Sequence, residues 1–74
     1  MVKYKRGVVM VRNRLKEIRM KNYMMNSKEF SELLGIKANT YSQLETQKQQ
    51  GNIETILKIS KALNLKVEDI WYLD

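Results

Sequence analysis

Residues 26–45 read NSKEFSELLGIKANTYSQLE and contain two short helical patterns, one on each side of a single glycine. Asn26 is a suitable N-cap for the first helix, because Glu29 follows three residues later and each side chain can accept a hydrogen bond from the other residue's backbone N–H. Three apolar residues then recur at the spacing of one helix face: Phe30, Leu33 and Leu34. The pattern predicts a helix over residues 27–34.

Gly35 predicts the end of this helix, because glycine adopts the left-handed backbone conformation without the steric cost of a Cβ atom. After a three-residue turn, a second helix is expected to begin at Ala38, with Tyr41 and Leu44 on its inward face. The residues expected on its outward face are small or polar: Ala38, Asn39, Ser42, Gln43 and Thr46. Two short helices joined in this way form a helix-turn-helix, and such side chains can reach base edges in a DNA major groove.

The chain resembles the lambda-repressor-like, Cro/CI-type helix-turn-helix family, also called the xenobiotic-response-element (XRE) family. The resemblance runs from about Asn13 to Leu73. It is carried by RLKEIR at residues 14–19, Ser31 four positions before Gly35, Ser42 and Glu45 in the second motif helix, and the closing segments 55–65 and 67–70. The resemblance implies an all-α, compact five-helix DNA-binding domain. Family members usually have glycine at the position of Gln47.

The coarse pattern predicts five helices: about Val11 to Asn22, Ser27 to Leu34, Ala38 to about Thr46, a fourth between Asn52 and Asn64, and Val67 to about Leu73. The expected core consists of Leu15, Ile18, Phe30, Leu34, Ile36, Tyr41, Leu44, Ile56, Ile59, Leu63, Leu65 and Ile70. We assign residues 11–74 to the helix-turn-helix DNA-binding domain and residues 1–10 to an N-terminal extension.

Three interpretations of the N-terminal extension stay open. It is a disordered tail, a dimer-forming strand, or a basic arm that tracks DNA through Lys3, Lys5 and Arg6. The apolar run from Val8 to Val11 is compatible with a short strand and also with an early start of the first helix.

The net charge is +6 and is unevenly distributed along the chain. Residues 1–28 carry nine basic residues and one acidic residue, or +8, whereas residues 29–74 carry five basic and seven acidic residues, or −2. A basic half suits an anionic partner, because neutralising phosphates releases counterions. Taken alone, the asymmetry would fit a solvated face equally well; with the helix-turn-helix beside it, we favour nucleic acid.

The composition excludes several classes of protein. Cysteine and histidine are absent, so neither a disulfide framework nor a Cys/His metal site can form. Three scattered glycines give no phosphate-binding loop and no nucleophile–base pair is evident, so we expect no enzyme, cofactor or metal. The sequence shows no signal peptide and no apolar run near the length of a membrane span, which predicts a cytoplasmic protein with no membrane association.

The DNA contacts are predicted from positions on and around the second motif helix. The base-reading set is Ala38, Asn39, Thr40 and Gln43, among which Asn and Gln can bond bidentately to adenine. The phosphate-contacting set flanks this helix and includes three cations: Ser27, Lys28, Lys37, Thr46 and Lys48. The resemblance also implies a structural ion pair between Arg19 and Glu45, which would turn the carboxylate away from phosphate.

We therefore expect sequence-specific binding of double-stranded DNA by a transcriptional regulator, with repressor as the predicted role. A domain this small reads few base pairs, so a homodimer on a palindromic operator is expected. Trp71, Tyr72 and Leu73 either finish the core or form an exposed apolar patch that is the dimer interface. The alternative function is a protein-interaction module, such as an antitoxin or antirepressor-like partner, because fold alone does not define function.

Overall fold

Five helices and one pair of short strands make up residues 10–74, the part of the chain that this computed structural model describes. The strands are β1 (Val11–Asn13) and β2 (Trp71–Leu73). The helices are α1 (Leu15–Ile18, continued by a π-helical turn at Arg19–Tyr23), α2 (Ser27–Leu34), α3 (Ala38–Glu45), α4 (Ile53–Leu63) and α5 (Val67–Ile70). The all-α, five-helix fold expected from the sequence is confirmed in its helices, and the strand pair is an addition.

The two strands pair at the ends of the described chain and shorten both terminal helices. They are antiparallel, with Val11 opposite Leu73, and the N–H of Asp74 donates to the carbonyl oxygen of Met10 at 2.8 Å. The predicted start of the first helix at Val11 and the predicted end of the fifth helix at Leu73 are therefore wrong. Both segments use their backbone hydrogen-bonding groups across the strand pair instead of along a helix.

Most of the N-terminal extension lies outside the described residues. Lys3, Lys5 and Arg6 of the suggested basic arm belong to that part, as do Val8 and Val9 of the apolar run. The interpretations of this segment as tail, strand or arm stay predictions.

Asn13 connects β1 to the start of α1. Its side-chain Oδ1 accepts a hydrogen bond from the N–H of Leu15 at 3.1 Å, which satisfies one of the free donors at the helix N-terminus. The helix closes in the π-helical turn, where the left-handed Met24 (φ 53°) donates its N–H to the carbonyl of Arg19. These two ends fix α1, and with it the position of Arg19.

The helix-turn-helix forms as the sequence predicts. Asn26 Oδ1 accepts from the N–H of Glu29 at 2.8 Å, and the N–H of Asn26 donates to Glu29 Oε1 at 3.1 Å, so the capping box is confirmed. Gly35 ends α2 in the left-handed conformation at φ 75°, the geometry for which glycine was expected there. α4 begins in a similar way, because Asn52 Oδ1 accepts from the N–H of Thr55 at 2.8 Å.

The core lies between the helices and centres on Phe30. The ring of Phe30 packs against Tyr23 and Tyr41, with centroids 5.2 and 5.5 Å apart. The buried apolar residues are Leu15, Ile18, Phe30, Leu34, Tyr41, Leu44, Ile59, Leu63, Ile70 and Trp71. Nine of the twelve predicted core residues are in this set.

The remaining core predictions differ from the structure in degree. Ile36 and Ile56 are half-buried at the edge of the core. Leu65 is exposed, and its assignment to the core is wrong, because it follows the left-handed Asn64 that already ends α4. Trp71 takes up core volume instead, since β2 turns its side chain inward after α5.

Candidate nucleic-acid interface

The helix-turn-helix presents one face of α3 to solvent. Tyr41 and Leu44 on the opposite face are fully buried, which fixes the rotation of the helix about its own axis. Ala38, Asn39 and Ser42 are consequently exposed, as the sequence predicts for the outward face. Because the inward face is held by the core, this surface is presented on a rigid element, a favourable starting point for recognition.

The predicted base-reading residues lie together on this helix but differ in exposure. Ala38 and Asn39 are exposed in its first turn, whereas Thr40 and Gln43 are half-buried at the side of the same surface. Asn39 and Gln43 are one helical turn apart, so their amides lie above one another along the helix. The structure thus brings two amide side chains, each capable of bidentate contact with adenine, to one strip of surface.

The side chain of Gln43 has a hydrogen-bond partner within the protein that was not expected from the sequence. The side-chain Nε2 of Gln49 donates to Gln43 Oε1 at 2.8 Å, and the N–H of Lys48 donates to the carbonyl oxygen of Gln43, also at 2.8 Å. The segment after α3 therefore folds back alongside the C-terminal half of the helix.

The predicted phosphate-contacting residues precede and follow α3 in the chain. Ser27 and Lys28 begin α2, Lys37 occupies the N-cap position of α3, and Lys48 lies in the segment that follows α3. All four are exposed, and the three lysines form no salt bridge with other residues in the range 10–74. Lys37 and Lys48 therefore add positive charge at the two ends of α3, where contacts with phosphate would neutralise DNA charge.

Thr46 differs from the other members of the phosphate set. Its hydroxyl donates to the carbonyl oxygen of Ser42 at 2.8 Å, one turn earlier on the same helix. A hydroxyl has a single proton to donate, so Thr46 must break this hydrogen bond before it can donate to a phosphate. Its position is suitable, but its donor is already in use.

Glu45 is turned away from the exposed face by two partners. Arg19 Nε donates to Glu45 Oε2 at 3.0 Å, and Tyr41 donates its phenolic hydrogen to the same oxygen at 2.9 Å. The side chains of Arg19 and Glu45 are only 13% and 11% exposed. The resemblance implied the ion pair, and the structure brings its two members together; the tyrosine is an addition.

This network also ties the first helix to the turn before α2. A second guanidinium nitrogen of Arg19, Nη1, donates to the carbonyl oxygen of Met25 at 3.0 Å. The hydrogen bond to Glu45 raises the pKa of Arg19, and burial together with the same carboxylate raises the pKa of Tyr41. Arg19 is therefore charged and Tyr41 neutral under ordinary conditions, the states in which both donate to Glu45.

Asn13 also holds the C-terminal end of α3 and was not identified from the sequence. Its Nδ2 donates to the carbonyl oxygen of Leu44 at 2.9 Å, which satisfies one of the free acceptors at the end of α3. The predicted first helix included Asn13, and nothing in the local pattern indicates a partner 31 positions away.

The predicted dimer patch is divided by the fold. Trp71 is buried, so its assignment to an exposed interface is wrong: the ring completes the core. Tyr72 is partly covered by Arg14, whose guanidinium carbon lies 4.3 Å from the ring centroid. Leu73 is 68% exposed and lies opposite Val11 in the strand pair. An apolar surface remains here, formed by strand residues rather than by a helix.

Residues 10–74 hold no group of acidic side chains arranged to bind a metal ion. None of the helices in this part of the chain has the length and apolar character needed to span a membrane.

Comparison with known proteins agrees with the helix-turn-helix fold. A family model described as helix-turn-helix matches residues 15–70, which includes α1 to α5. The chain is also 33% identical over 64 residues to an uncharacterised HTH-type transcriptional regulator of Archaeoglobus fulgidus, covering 86% of this chain and 89% of that protein. The chain therefore belongs to the Cro/CI-type helix-turn-helix family, whose members are DNA-binding transcriptional regulators and not enzymes.

Proposed function

We propose that the protein binds specific double-stranded DNA sequences as a homodimer, with α3 in the major groove, and represses transcription. The observation that carries this proposal is the composition of the exposed face of α3. Its one carboxylate, Glu45, is engaged by Arg19 and Tyr41, while the amides of Asn39 and Gln43 lie at the surface. A surface with amides outward and its acid turned inward is compatible with base edges and with nearby phosphates.

The charge around α3 supports the same orientation. Lys28, Lys37 and Lys48 are exposed, and Lys37 and Lys48 adjoin the two ends of α3, so phosphates near both ends of the helix would be neutralised while α3 lies in the groove. Phosphate contacts of this kind position a protein on DNA, and base contacts then give the specificity.

Dimerisation is proposed because one recognition helix contacts few base pairs. Two copies related by a two-fold axis would place their α3 helices about 34 Å apart, one turn of DNA, and would require a palindromic operator. The apolar strand surface of Val11 and Leu73 supports an interface at this end of the fold. A repressor acts by occupying such an operator and excluding polymerase.

Selection of a binding site from a random DNA pool, followed by fluorescence anisotropy with the selected site, tests this function. We expect binding that weakens steeply with salt, together with an affinity for the selected palindrome well above that for a scrambled duplex. Asn39→Ala should reduce this preference, whereas Lys61→Ala, an exposed substitution on α4, should not. If no duplex is bound at low salt, DNA binding is refuted and the protein-interaction module becomes the better interpretation.

A further inference from the structure

The segment after α3 reverses the chain and returns it to the recognition helix. Thr46 and the left-handed Gln47 (φ 65°) end the helix. The N–H groups of Lys48 and Gln49 then both donate to the carbonyl oxygen of Gln43, at 2.8 and 3.3 Å. Two backbone hydrogen bonds to one acceptor hold this segment against the C-terminal half of α3.

This reversal places a second glutamine next to the one predicted to read a base. Gln49 Nε2 donates to Gln43 Oε1 at 2.8 Å, a distance typical of a good hydrogen bond. Gln49 is exposed, so this hydrogen bond is not part of the packing of the core. It acts on the side-chain amide of Gln43 at the edge of the helix.

A glutamine amide has a donor end and an acceptor end, and an unconstrained amide can exchange them by rotating through half a turn. If the Gln43 amide alone rotated, two NH2 groups would face each other and the hydrogen bond would be lost, so the pair favours the observed orientation of Gln43 as long as Gln49 keeps its own. One lone pair of Oε1 and both protons of Nε2 then stay available. Adenine needs one acceptor and one donor in this order, for its N6 amino group and N7.

We infer that Gln49 is a specificity-determining positioning residue: its amide orients that of Gln43 and so increases discrimination in favour of adenine at one position of the operator. The inference rests on the proposed function, in particular on base reading by Gln43. Gln49 acts through its neighbour and needs no DNA contact of its own. Gln49 controls which end of the Gln43 amide, the donor or the acceptor, faces which part of the base.

The test is a double-mutant cycle of Gln43→Ala and Gln49→Ala, measured on the selected operator and on its three single-base variants at the position that Gln43→Ala relaxes. We expect Gln49→Ala to lower discrimination at that same position about three- to tenfold. In the Gln43→Ala background it should have no further effect on discrimination. Gln50→Ala is the matched control, because Gln50 is the neighbouring exposed glutamine.

Gln49→Glu gives a second, directional readout. A carboxylate only accepts hydrogen bonds, so it should bind Gln43 Nε2 and leave the Oε1 end free. We expect the preference at this position to move toward cytosine, whose major-groove group is a donor. The added negative charge should weaken binding to all four sequences by the same factor. The ratios of the four affinities, which report the base preference, are unaffected by this uniform loss.

The outcomes separate the inference from the function on which it rests. If Gln43→Ala relaxes one base position and Gln49→Ala changes none, the role of Gln49 is refuted and base reading by Gln43 stands. If Gln49→Ala weakens all sequences equally, Gln49 contacts the DNA backbone and the inference is again wrong. If Gln43→Ala relaxes no position, the proposed base-reading role itself fails. Thermal melting of each variant verifies that the domain is folded.

Discussion

Tyr41 donates its phenolic hydrogen to Oε2 of Glu45, 2.9 Å away and one turn later on the same helix. The ring of Tyr41 is fully buried, so this hydrogen bond ties Glu45 to the core and away from the surface that faces DNA in the proposed complex. Arg19 binds the same carboxylate from α1. Glu45 therefore links the packing of the core to the orientation of α3. The same contacts keep its negative charge away from the exposed face.

Glu45→Gln should destabilise the fold, because it leaves the largely buried Arg19 without its counter-charge. Losing one member of a fully buried pair costs about 3–5 kcal/mol, and the partial exposure of this pair should reduce the loss to about 2 kcal/mol. Urea unfolding measures it. Glu32→Gln, an exposed acidic position on α2, is the matched control. Unchanged stability combined with altered operator preference would show that Glu45 faces DNA.

Tyr41 should make the stability fall at high pH. Burial, and then Glu45, raise the pKa of Tyr41, whereas the pKa of a tyrosine in the unfolded chain is about 10. The folded state therefore keeps its proton where the unfolded state loses it. The stabilisation should be complete below about pH 10 and should fall above it by about 1.4 kcal/mol per pH unit.

Tyr41→Phe isolates this contribution, because both proteins keep all other titrating groups. The free energy of unfolding of the wild type, relative to Tyr41→Phe, should be constant from pH 7 to 9 and decrease above about 10. Parallel pH profiles for the two proteins would mean that Tyr41 titrates normally.

Lys48→Ala should weaken binding to specific and random DNA by the same factor. If its ammonium neutralises one phosphate, the slope of log K against log salt should fall by about one unit. Lys61→Ala on α4 should leave the slope unchanged. Anisotropy titrations between 50 and 200 mM salt give these slopes, and an unaltered slope for Lys48→Ala would remove it from the interface.

Gln47→Gly should stabilise the protein. Gln47 has φ 65°, and its buried Oε1 has no hydrogen-bond partner among residues 10–74. Glycine removes both costs, and we expect a gain of roughly 1 kcal/mol in the free energy of unfolding. Gln50→Gly, next to the same turn but without a positive φ, should instead lose up to about 1 kcal/mol. A loss at both positions would contradict the strain assigned to Gln47.

Alanine substitutions at Trp71 and at Leu73 should differ strongly in their effect on stability. Trp71→Ala removes a buried ring and should cost about 3 kcal/mol or more, whereas Leu73→Ala should change the stability of the monomer by less than about 0.5 kcal/mol. Thermal melting at low protein concentration separates them. Equal losses of stability would mean that Trp71 does not lie in the core while Leu73 lies at the surface.

Leu73→Glu tests the proposed interface. We expect sedimentation to show a wild-type dimer and a folded, monomeric variant, because a carboxylate in an apolar contact is left without a partner. A wild type that is monomeric at high concentration and on its operator would refute the homodimer. A dimer that tolerates the change would move the interface away from the strands.

Local sequence patterns predict the motif well because its determinants are local. The capping box of Asn26 and Glu29 and the left-handed Gly35 act within one or two turns, and both appear in the structure. Of the apolar residues predicted for one face of α2, Phe30 and Leu34 are buried, whereas Leu33 is exposed. The family resemblance supplied the contact between Arg19 and Glu45, 26 positions apart, which no local pattern contains.

The strand pair could not be predicted in this way. Val11 lies four positions before Leu15, so it fits the spacing of a helix as well as the extended strand that it adopts. Its partner strand is at the other end of the chain, and the ion pair of Arg12 with Asp74 spans 62 positions. The contact between Gln43 and Gln49 was missed for a related reason: it depends on a left-handed turn at Gln47, which no local pattern indicates, although family members usually have glycine there.

The strand pair also makes the described domain almost circular. The backbone N–H of Asp74 and the carbonyl of Met10 are already joined by a hydrogen bond. A covalent linkage between these two ends would need little or no movement of the folded state, while it would remove much of the freedom of the unfolded chain. This domain is therefore well suited to backbone cyclisation or to permutation of its chain order, with new ends opened in a surface loop.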